Sequence, residues 1–358
     1  MRKLFRRIAA ISLAALLPLL SGSAYAARTP KKSPEPELQR YSGVIYDAFD
    51  TTTTVLAYCE TEESFARLMQ TAEKELLRYH ALFDIYNSCT DQINLRSVNL
   101  SAGVQPQKVP EELFSLLSFA KEMYVLTNGE MNVAMGSVLS IWHDVRQYNN
   151  SFPQTPLFPD RATLREAAKH CCIDDVCLSE EEQTVYLADA VLRLDVGAIA
   201  KGYSVERVVQ LLIAEGHDHF SINAGGNVRT VGTKPGGALW NIGITNPDLT
   251  STEPYVEVVS AADKAVVTSG SYQRFFTYEG QRYHHIIDKD SLQPENRYLS
   301  VTILADDSAL ADALSTAVFN MEMEEGKAFI ENLEGIEAMW ILADGSEEFS
   351  SGFGAYLR

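Results

Sequence analysis

A carboxylate and a hydroxyl lie one helical turn apart in an otherwise apolar segment of the sequence. In ALADALSTAVF, residues 309–319, Asp312 and Thr316 stand at positions i and i+4, which face the same side of a helix. A carboxylate buried there needs a cation or hydrogen-bond donors, because leaving it unpaired is strongly unfavourable. Oxygen ligands at this spacing suit Mg²⁺. A capped or salt-bridged structural aspartate would give the same pattern, so the helix alone leaves both interpretations open.

The second candidate is a turn between two glycines, DVGAIAKG at residues 195–202. A strand is expected before it and a helix after it, so free backbone amides and a helix N-terminus could meet a phosphate there. Asp195 and Lys201 are its charged members. The order of residues matches neither the Walker A loop nor the dinucleotide-binding glycine motif, so a packed turn is the alternative interpretation.

The third candidate is the pair of adjacent histidines, His284 and His285, followed by Asp288. Adjacent residues of a strand face opposite sides, so at most one of the two imidazoles can face a given cleft. Such a histidine acts as a general base only if a reacting hydroxyl lies within hydrogen-bond reach. Otherwise it is a partly exposed packing residue.

The elements that must position these residues follow from the spacing of apolar side chains. That spacing predicts helices over 65–83, 110–128, 308–321 and 324–333, and a strand, turn, helix and strand over 184–232. Residues 144–160, rich in Asn, Pro and Tyr, indicate a surface excursion. Because strands and helices do not alternate regularly, the predicted fold class is α+β rather than a doubly wound sheet.

Composition restricts the class of protein further. The chain has 358 residues, of which 46% are hydrophobic, and this is typical of a globular protein rather than a disordered or polytopic membrane protein. Its net charge of -18 argues against a nucleic-acid partner, since such proteins need a basic surface. Phosphate-bearing small molecules stay possible, because one helix terminus or one metal ion can reverse the local sign.

The amino terminus indicates export. Residues 1–26 combine four early basic residues, an apolar run over 8–20 and the small-residue site Ala24-Tyr25-Ala26, which together predict a secretory signal peptide. An uncleaved membrane anchor is the alternative, although the apolar run is short for a bilayer span. Residues 27–40 are polar and Pro-rich and are interpreted as a tether. The expected location is therefore the periplasm or the outer face of the cytoplasmic membrane.

Five cysteines in an exported chain leave at least one unpaired within the chain. Three of them lie in CCIDDVC, residues 171–177, directly after a histidine. The spacing lacks the paired C-x-x-C of zinc sites, so a local disulfide or buried thiols are expected instead.

The chain from about residue 41 to residue 341 resembles the ApbE family of FAD:protein FMN transferases. Seven motifs in order carry the resemblance: FDIYN (83–87), MNVAMGSVLSIWHD (131–144), LDVGAIAKGY (194–203), NAGGNVRTVG (223–232), VTSGSYQRFF (267–276), HHIID (284–288) and ADALSTAVF (311–319). After the histidine motif the family usually continues Pro-Arg/Lys-Thr-Gly, whereas this chain has KDSLQP at 289–294. The resemblance implies one domain over 41–345, followed by a tail over 346–358.

The resemblance also implies an activity. Members of the family are exported, Mg²⁺-dependent enzymes that move the FMN half of FAD onto a threonine hydroxyl of a flavoprotein and release AMP. Their acceptors carry an Asp/Ser-Gly-Ala-Thr-Ser/Thr motif, most simply in a membrane redox subunit. This chain lacks the motif, so its acceptor is expected to be a separate protein. An FAD pyrophosphatase and a non-catalytic flavin-binding carrier are the alternatives.

Residue by residue, the resemblance assigns three groups of ligands within a cleft between two subregions. The metal would be held by Asp312, Thr316 and the main-chain carbonyl of Ala198. The FAD would be lined by Asp195, Lys201, Ile286 and the segment Ala134, Met135 and Gly136. The catalytic residues would be His285, as the base, and Asp195.

Overall fold

The computed structural model describes residues 37–89 and 92–358. The predicted signal peptide and most of the predicted tether lie outside the described residues. The helices are α1 Glu62–Phe83, α2 Leu95–Leu100, α3 Glu111–Leu126, α4 Gly136–Ser151, α5 Arg161–Ala168, α6 Ala200–Ala214, α7 Ser308–Asn320 and α8 Met323–Glu331. The strands are β1 Gln39–Ala48, β2 Thr51–Cys59, β3 Gln107–Lys108, β4 Val176–Ser179, β5 Thr184–Leu187, β6 Phe220–Ala224, β7 Asn227–Val231, β8 Trp240–Thr245, β9 Tyr255–Ala261, β10 Ala265–Gly270, β11 Phe275–Tyr278, β12 Gln281–His284, β13 Tyr298–Ala305, β14 Glu337–Leu342 and β15 Glu347–Phe349.

The main sheet has eight strands in the order β1-β2-β6-β7-β10-β13-β14-β15. Every neighbouring pair in it is antiparallel. Three smaller sheets join β3, β5 and β4, then β8 and β9, then β11 and β12. The predicted α+β class is therefore confirmed.

Side chains of the central strands point alternately to the two faces of the main sheet, and both faces are buried. Val267 on β10 lies opposite Ile303 on β13, and both belong to the large core that the sheet forms with helices α1, α6 and α7. Their neighbours Val266 and Leu304 are also paired, and they point to the other face, into a smaller core with β8 and β9. This two-sided burial fixes α6 and α7 against the centre of the sheet.

One predicted irregular segment is in large part helical. Residues 144–160 were expected to form a surface excursion, yet α4 continues to Ser151 and the irregular chain starts only after it. Asn149 explains the difference, because its side-chain amide exchanges two hydrogen bonds with the main chain of Leu157, at 2.7 Å and 2.8 Å. Asn149, a residue type that is common in loops, thus lies in the last turn of α4 and fixes the loop that follows the helix.

The folded unit extends slightly beyond both predicted limits. Strand β1 begins at Gln39, inside the predicted tether. Residues 346–358, which the sequence indicated as a tail, add β15 to the main sheet and a 3₁₀ turn, Phe353–Tyr356, whose Phe353 is fully buried. No helix in residues 37–89 and 92–358 is both long and apolar enough to span a bilayer.

All five cysteines are free thiols. Cys171 is half-buried, and Cys172 and Cys177 are exposed. The local disulfide that the sequence allowed is therefore absent, and the exposed pair also departs from the expectation of buried thiols.

Candidate active site

The three candidate motifs of the sequence meet in one cleft with a cavity of about 540 Å³. Its walls come from eight separate stretches of chain: the turn between β1 and β2, the end of α1, residues 130–146, the 195–201 turn, Gly225, residues 268–274, residues 285–287 and α7. A concave site of this size with several polar groups is typical of a small-molecule pocket. Nothing local in the sequence reveals that these stretches are neighbours.

Asp312 lies where α7 crosses the start of α6. Only 4% of the residue is exposed, and its Oδ2 accepts a 2.7 Å hydrogen bond from the main-chain N–H of Gly202. Its Oδ1 lies 3.5 Å from Nζ of Lys201. The carboxylate thus sits at a helix N-terminus, where the free N–H groups and the helix dipole favour negative charge.

Gly202 permits this close crossing of the two helices. A Cβ at position 202 would lie 2.3 Å from the carbonyl oxygen of Ser308 and 2.4 Å from Cβ of Asp312, so any side chain would push α7 away. The position therefore needs glycine for space rather than for an unusual backbone angle.

We expect Gly202→Ala to destabilise the protein by about 1–3 kcal/mol, as overpacking of a rigid contact does, and to displace Asp312. Gly326→Ala on α8 is the matched control, because a Cβ there would meet Val318 at an ordinary 3.4 Å. The control should be neutral or stabilising, since alanine favours helix. Thermal unfolding of both variants tests this, and equal melting temperatures would contradict the close-crossing argument.

The residues assigned to a metal by resemblance lie in the same cleft. Ala198, Asp312 and Thr316 all line it. In the described residues, no three side chains of His, Cys, Asp or Glu gather into a metal-binding cluster. A single carboxylate, a hydroxyl and a main-chain carbonyl nevertheless fit Mg²⁺, which takes few protein oxygens and completes its shell with water and phosphate. The donor set does not fit zinc, which prefers nitrogen and sulfur.

Of the two adjacent histidines, only His285 lines the cleft. The expected difference between the two is observed, although β12 ends at His284 and His285 lies just beyond the strand. Nδ1 of His285 is buried and has no hydrogen-bond partner among the described residues. Burial, reinforced by the positive charge of Arg274, lowers the pKa of His285 to about 3. The imidazole is therefore neutral at physiological pH.

His284 is a structural residue. It is 3% exposed; its Nε2 donates to the carbonyl of Glu295 at 2.5 Å, and its Nδ1 accepts from the N–H of Ile286 at 3.2 Å. Both ring nitrogens are thus used by the neutral tautomer, and burial lowers the pKa of His284 to about 4.

This buried histidine predicts an acid-dependent loss of stability. The unfolded chain protonates its histidine near 6.5, whereas the folded chain resists protonation down to about 4. The unfolded state therefore binds more protons as the pH falls through this window, and stability must decrease. We expect the urea midpoint of the native chain to fall between about pH 7 and about pH 5 more steeply than that of His284→Gln, whose amide can still donate to Glu295. An equal decrease of the urea midpoint in the native chain and in His284→Gln would contradict the assignment of this pH dependence to His284.

Asp195 lies on the floor of the cleft. Its Oδ1 accepts from the N–H of Gly197 at 2.8 Å, which closes the turn, and burial raises the pKa of the carboxyl. The main-chain N–H of Asp195 donates to the carbonyl of Val133, also at 2.8 Å. The two segments assigned to FAD by resemblance are therefore adjacent.

Within the segment 134–136, only Met135 reaches the cleft. Ala134 is fully buried in the core, and Gly136 starts α4 with its Cα so near the carbonyl of Arg193 that a Cβ would lie 2.4 Å from that oxygen. These two residues shape the wall without lining it. Ile286 and Lys201 both line the cleft.

The departure at 289–294 leaves the cleft wall intact. Nζ of Lys289 lies 3.2 Å from Oε1 of Glu130, a cleft residue, so a basic group is present although the motif differs. The carbonyl of Leu292 accepts a 3.0 Å hydrogen bond from the indole of Trp142 on α4. The loop is thus anchored to α4, which also lines the cleft.

Among the cleft residues with no role assigned from the sequence, four carry polar side chains that contact one another or flank the proposed base: Tyr86, His143, Arg146 and Arg274. Tyr86 stacks on His143 with ring centroids 4.7 Å apart, and its backbone N–H donates to the carboxylate of Asp84 at 2.6 Å. An Asp that caps its own turn is a recognisable signal. The i, i+3 spacing of His143 and Arg146 on a helix is a second signal in the sequence. Neither signal shows that these residues share a cleft.

The model of the ApbE family matches residues 49–340. An FAD:protein FMN transferase of Treponema pallidum (strain Nichols) is 36% identical over 276 residues, which cover 73% of this chain and 74% of the relative. Another from Klebsiella pneumoniae (strain 342) is 31% identical over 265 residues, covering 74% and 78%. The crystal structure of the ApbE protein from Thermotoga maritima superposes with a TM-score of 0.79 at 27% identity, covering 89% of this chain and 100% of that one. The flavin transferase ApbE from Vibrio cholerae gives a TM-score of 0.73 at 25% identity, covering 90% and 99%.

Proposed function

The chain belongs to the ApbE family and is a transferase, and on that premise we propose that it moves the FMN half of FAD onto a threonine hydroxyl and releases AMP in a Mg²⁺-dependent reaction. The observation that carries the proposal is that Ala198, Asp312 and Thr316 line the same cleft as a neutral His285. An oxygen-rich metal site together with a free imidazole suits phosphoryl transfer, which needs charge compensation and a base.

The residues have distinct tasks in this reaction. Asp312, Thr316 and Ala198 would hold Mg²⁺, which polarises the diphosphate when bound. His285 takes the proton of the threonine hydroxyl as the threonine oxygen bonds to the phosphorus of FMN. The bond from that phosphorus to the bridging oxygen breaks, and AMP leaves with the bridging oxygen and its electron pair. Lys201, 3.5 Å from Asp312, adds positive charge to the phosphate end of the site.

The acceptor is a separate flavoprotein in this proposal, because the sequence contains no Asp/Ser-Gly-Ala-Thr-Ser/Thr segment. We place the reaction outside the cytoplasm, on the basis of the signal-like residues 1–26. The acceptor segment must then face the same side, as part of a membrane redox complex or an exported reductase.

The test is incubation of the protein with FAD, Mg²⁺ and an acceptor domain that carries the threonine motif, with mass spectrometry of all products. An acceptor heavier by one FMN, with AMP in equal amount, supports the transferase. Free FMN and AMP with an unchanged acceptor would show a pyrophosphatase, in which water replaces the threonine. Unchanged FAD would indicate a flavin carrier.

A further inference from the structure

Two arginines of the cleft have no acidic partner. Arg146 projects from α4 and Arg274 from the segment between β10 and β11, and both line the cavity. In the part of the chain that the structure describes, neither forms an ion pair. Nη2 of Arg146 donates to Nδ1 of His143 at 3.2 Å, and Nη2 of Arg274 donates weakly to the carbonyl of Phe49 at 3.4 Å.

Arginines without an ion pair are common in the described part of this chain, where Arg78, Arg229 and Arg297 are the ones that pair with carboxylates. What sets Arg146 and Arg274 apart is that both line the same cleft. Burial and then the charge of Arg274 lower the pKa of Arg146. The two guanidinium groups therefore repel each other within one cleft, and the carboxyl group of Asp195 offsets their charge only in part and without a direct ion pair.

Arg146 is held in place rather than mobile. It is half-buried, and because a guanidinium can only donate hydrogen bonds, Nδ1 of His143 must be unprotonated. Burial lowers the pKa of His143, which keeps the ring neutral and able to accept. The hydroxyl of Tyr86 lies 3.0 Å from the same nitrogen, and its ring stacks on the imidazole. The neighbouring Tyr86 and His143 thus fix the direction of Arg146 before any ligand binds.

We propose that Arg146 and Arg274 form a two-arginine site for a diphosphate, that of FAD, and that they compensate the charge on the phosphate that leaves with AMP. This inference rests on the proposed function for the identity of the dinucleotide. A diphosphate offers two phosphoryl groups, each able to accept a forked pair of N–H bonds from one guanidinium. A single carboxylate of a protein acceptor would neutralise only one of the two charges. The pair also lies within electrostatic reach of His285 and Asp195, so a phosphate held there is near the proposed base.

Inorganic pyrophosphate is the probe, because it carries the charge of the diphosphate without flavin or adenine. Its binding to the full chain is measured by calorimetry with a chelator present, so the result does not depend on Mg²⁺ or on turnover. We expect Arg146→Gln and Arg274→Gln each to weaken pyrophosphate binding by about 10–100-fold. The lysine variants should recover part of the loss, since lysine keeps the charge and loses the forked geometry. Arg282→Gln is the matched control, because Arg282 is exposed on β12 and lies outside the cleft.

Riboflavin, which has no phosphate, should bind the native chain and both glutamine variants equally, and this separates a lost anion site from a damaged fold. Unchanged pyrophosphate affinity in both variants would overturn the inference, as would an equal loss of riboflavin and pyrophosphate binding. If instead the variants keep pyrophosphate binding and lose only the binding of an acidic acceptor peptide, the pair serves the acceptor and the inference is wrong. If the native protein transfers no FMN but binds pyrophosphate, and the glutamine variants lose that binding, the two-arginine site is supported and the proposed function is refuted.

Discussion

Replacement of Asp312 by asparagine should lower Mg²⁺-dependent turnover on the order of 10²–10³-fold, because charge compensation by a metal ion is worth several kcal/mol. The fold should survive. The amide oxygen of asparagine can still accept the hydrogen bond that Gly202 donates at 2.7 Å, so only the negative charge is removed. Turnover as a function of Mg²⁺ concentration should show a weaker metal dependence, and thermal unfolding should show an almost unchanged midpoint.

The matched control is Asp307→Asn on the same helix. Asp307 caps α7 by accepting from the N–H of Leu310 and does not line the cleft, and asparagine caps a helix equally well. The control should therefore keep both stability and Mg²⁺ response. If Asp312→Asn retained native turnover at low Mg²⁺, the carboxylate would be a structural cap for α6, which was the other interpretation of its position in the sequence.

The residues that the sequence predicted well are those whose evidence lies within one element. Asp312 and Thr316 share a face because the helical period places them there, and the structure puts both in the cleft. His285 lines the cleft and His284 is buried, as alternation along a strand predicted, although β12 ends at His284 and His285 lies just beyond it. Periodicity is a local property, so it can be read without knowledge of the fold.

The residues that the sequence missed depend on contacts between distant elements. Arg146 and Arg274 are 128 positions apart in the chain and share a cleft only because α4 and the segment after β10 both line it. The resemblance named Ala134 and Gly136 with Met135, yet only Met135 is exposed to the cavity. The chain packed behind a tight turn, here residues 193–195, decides which side of the turn faces a ligand. The spacing of residues in the sequence does not contain this information.

The second large effect is expected at His285. His285→Asn should keep FAD binding and slow transfer by on the order of 10²–10⁴-fold, the usual contribution of a positioned general base. His284→Gln should do the opposite, because His284 uses both ring nitrogens within the fold. We expect it to lower the unfolding midpoint while each folded molecule transfers FMN at the native rate. Reversed phenotypes would refute the assignment, and loss of FAD binding in His285→Asn would give that residue a positioning role.

The pH dependence of FMN transfer is a further test of His285, because a purely structural role for this residue would not change the pH profile. In the free protein the charges of Arg274 and Arg146 help to lower the pKa of His285 to about 3, so kcat/KM should show no acid limb from this residue near 6.5. A diphosphate bound at the two arginines compensates those charges, and the pKa of the imidazole should rise in the complex. The acid limb of kcat, which reports the complex, is therefore expected at higher pH than that of kcat/KM, and Arg274→Gln should bring the two limbs closer together. Profiles of native and variant protein that coincide would show that His285 does not titrate in the reaction.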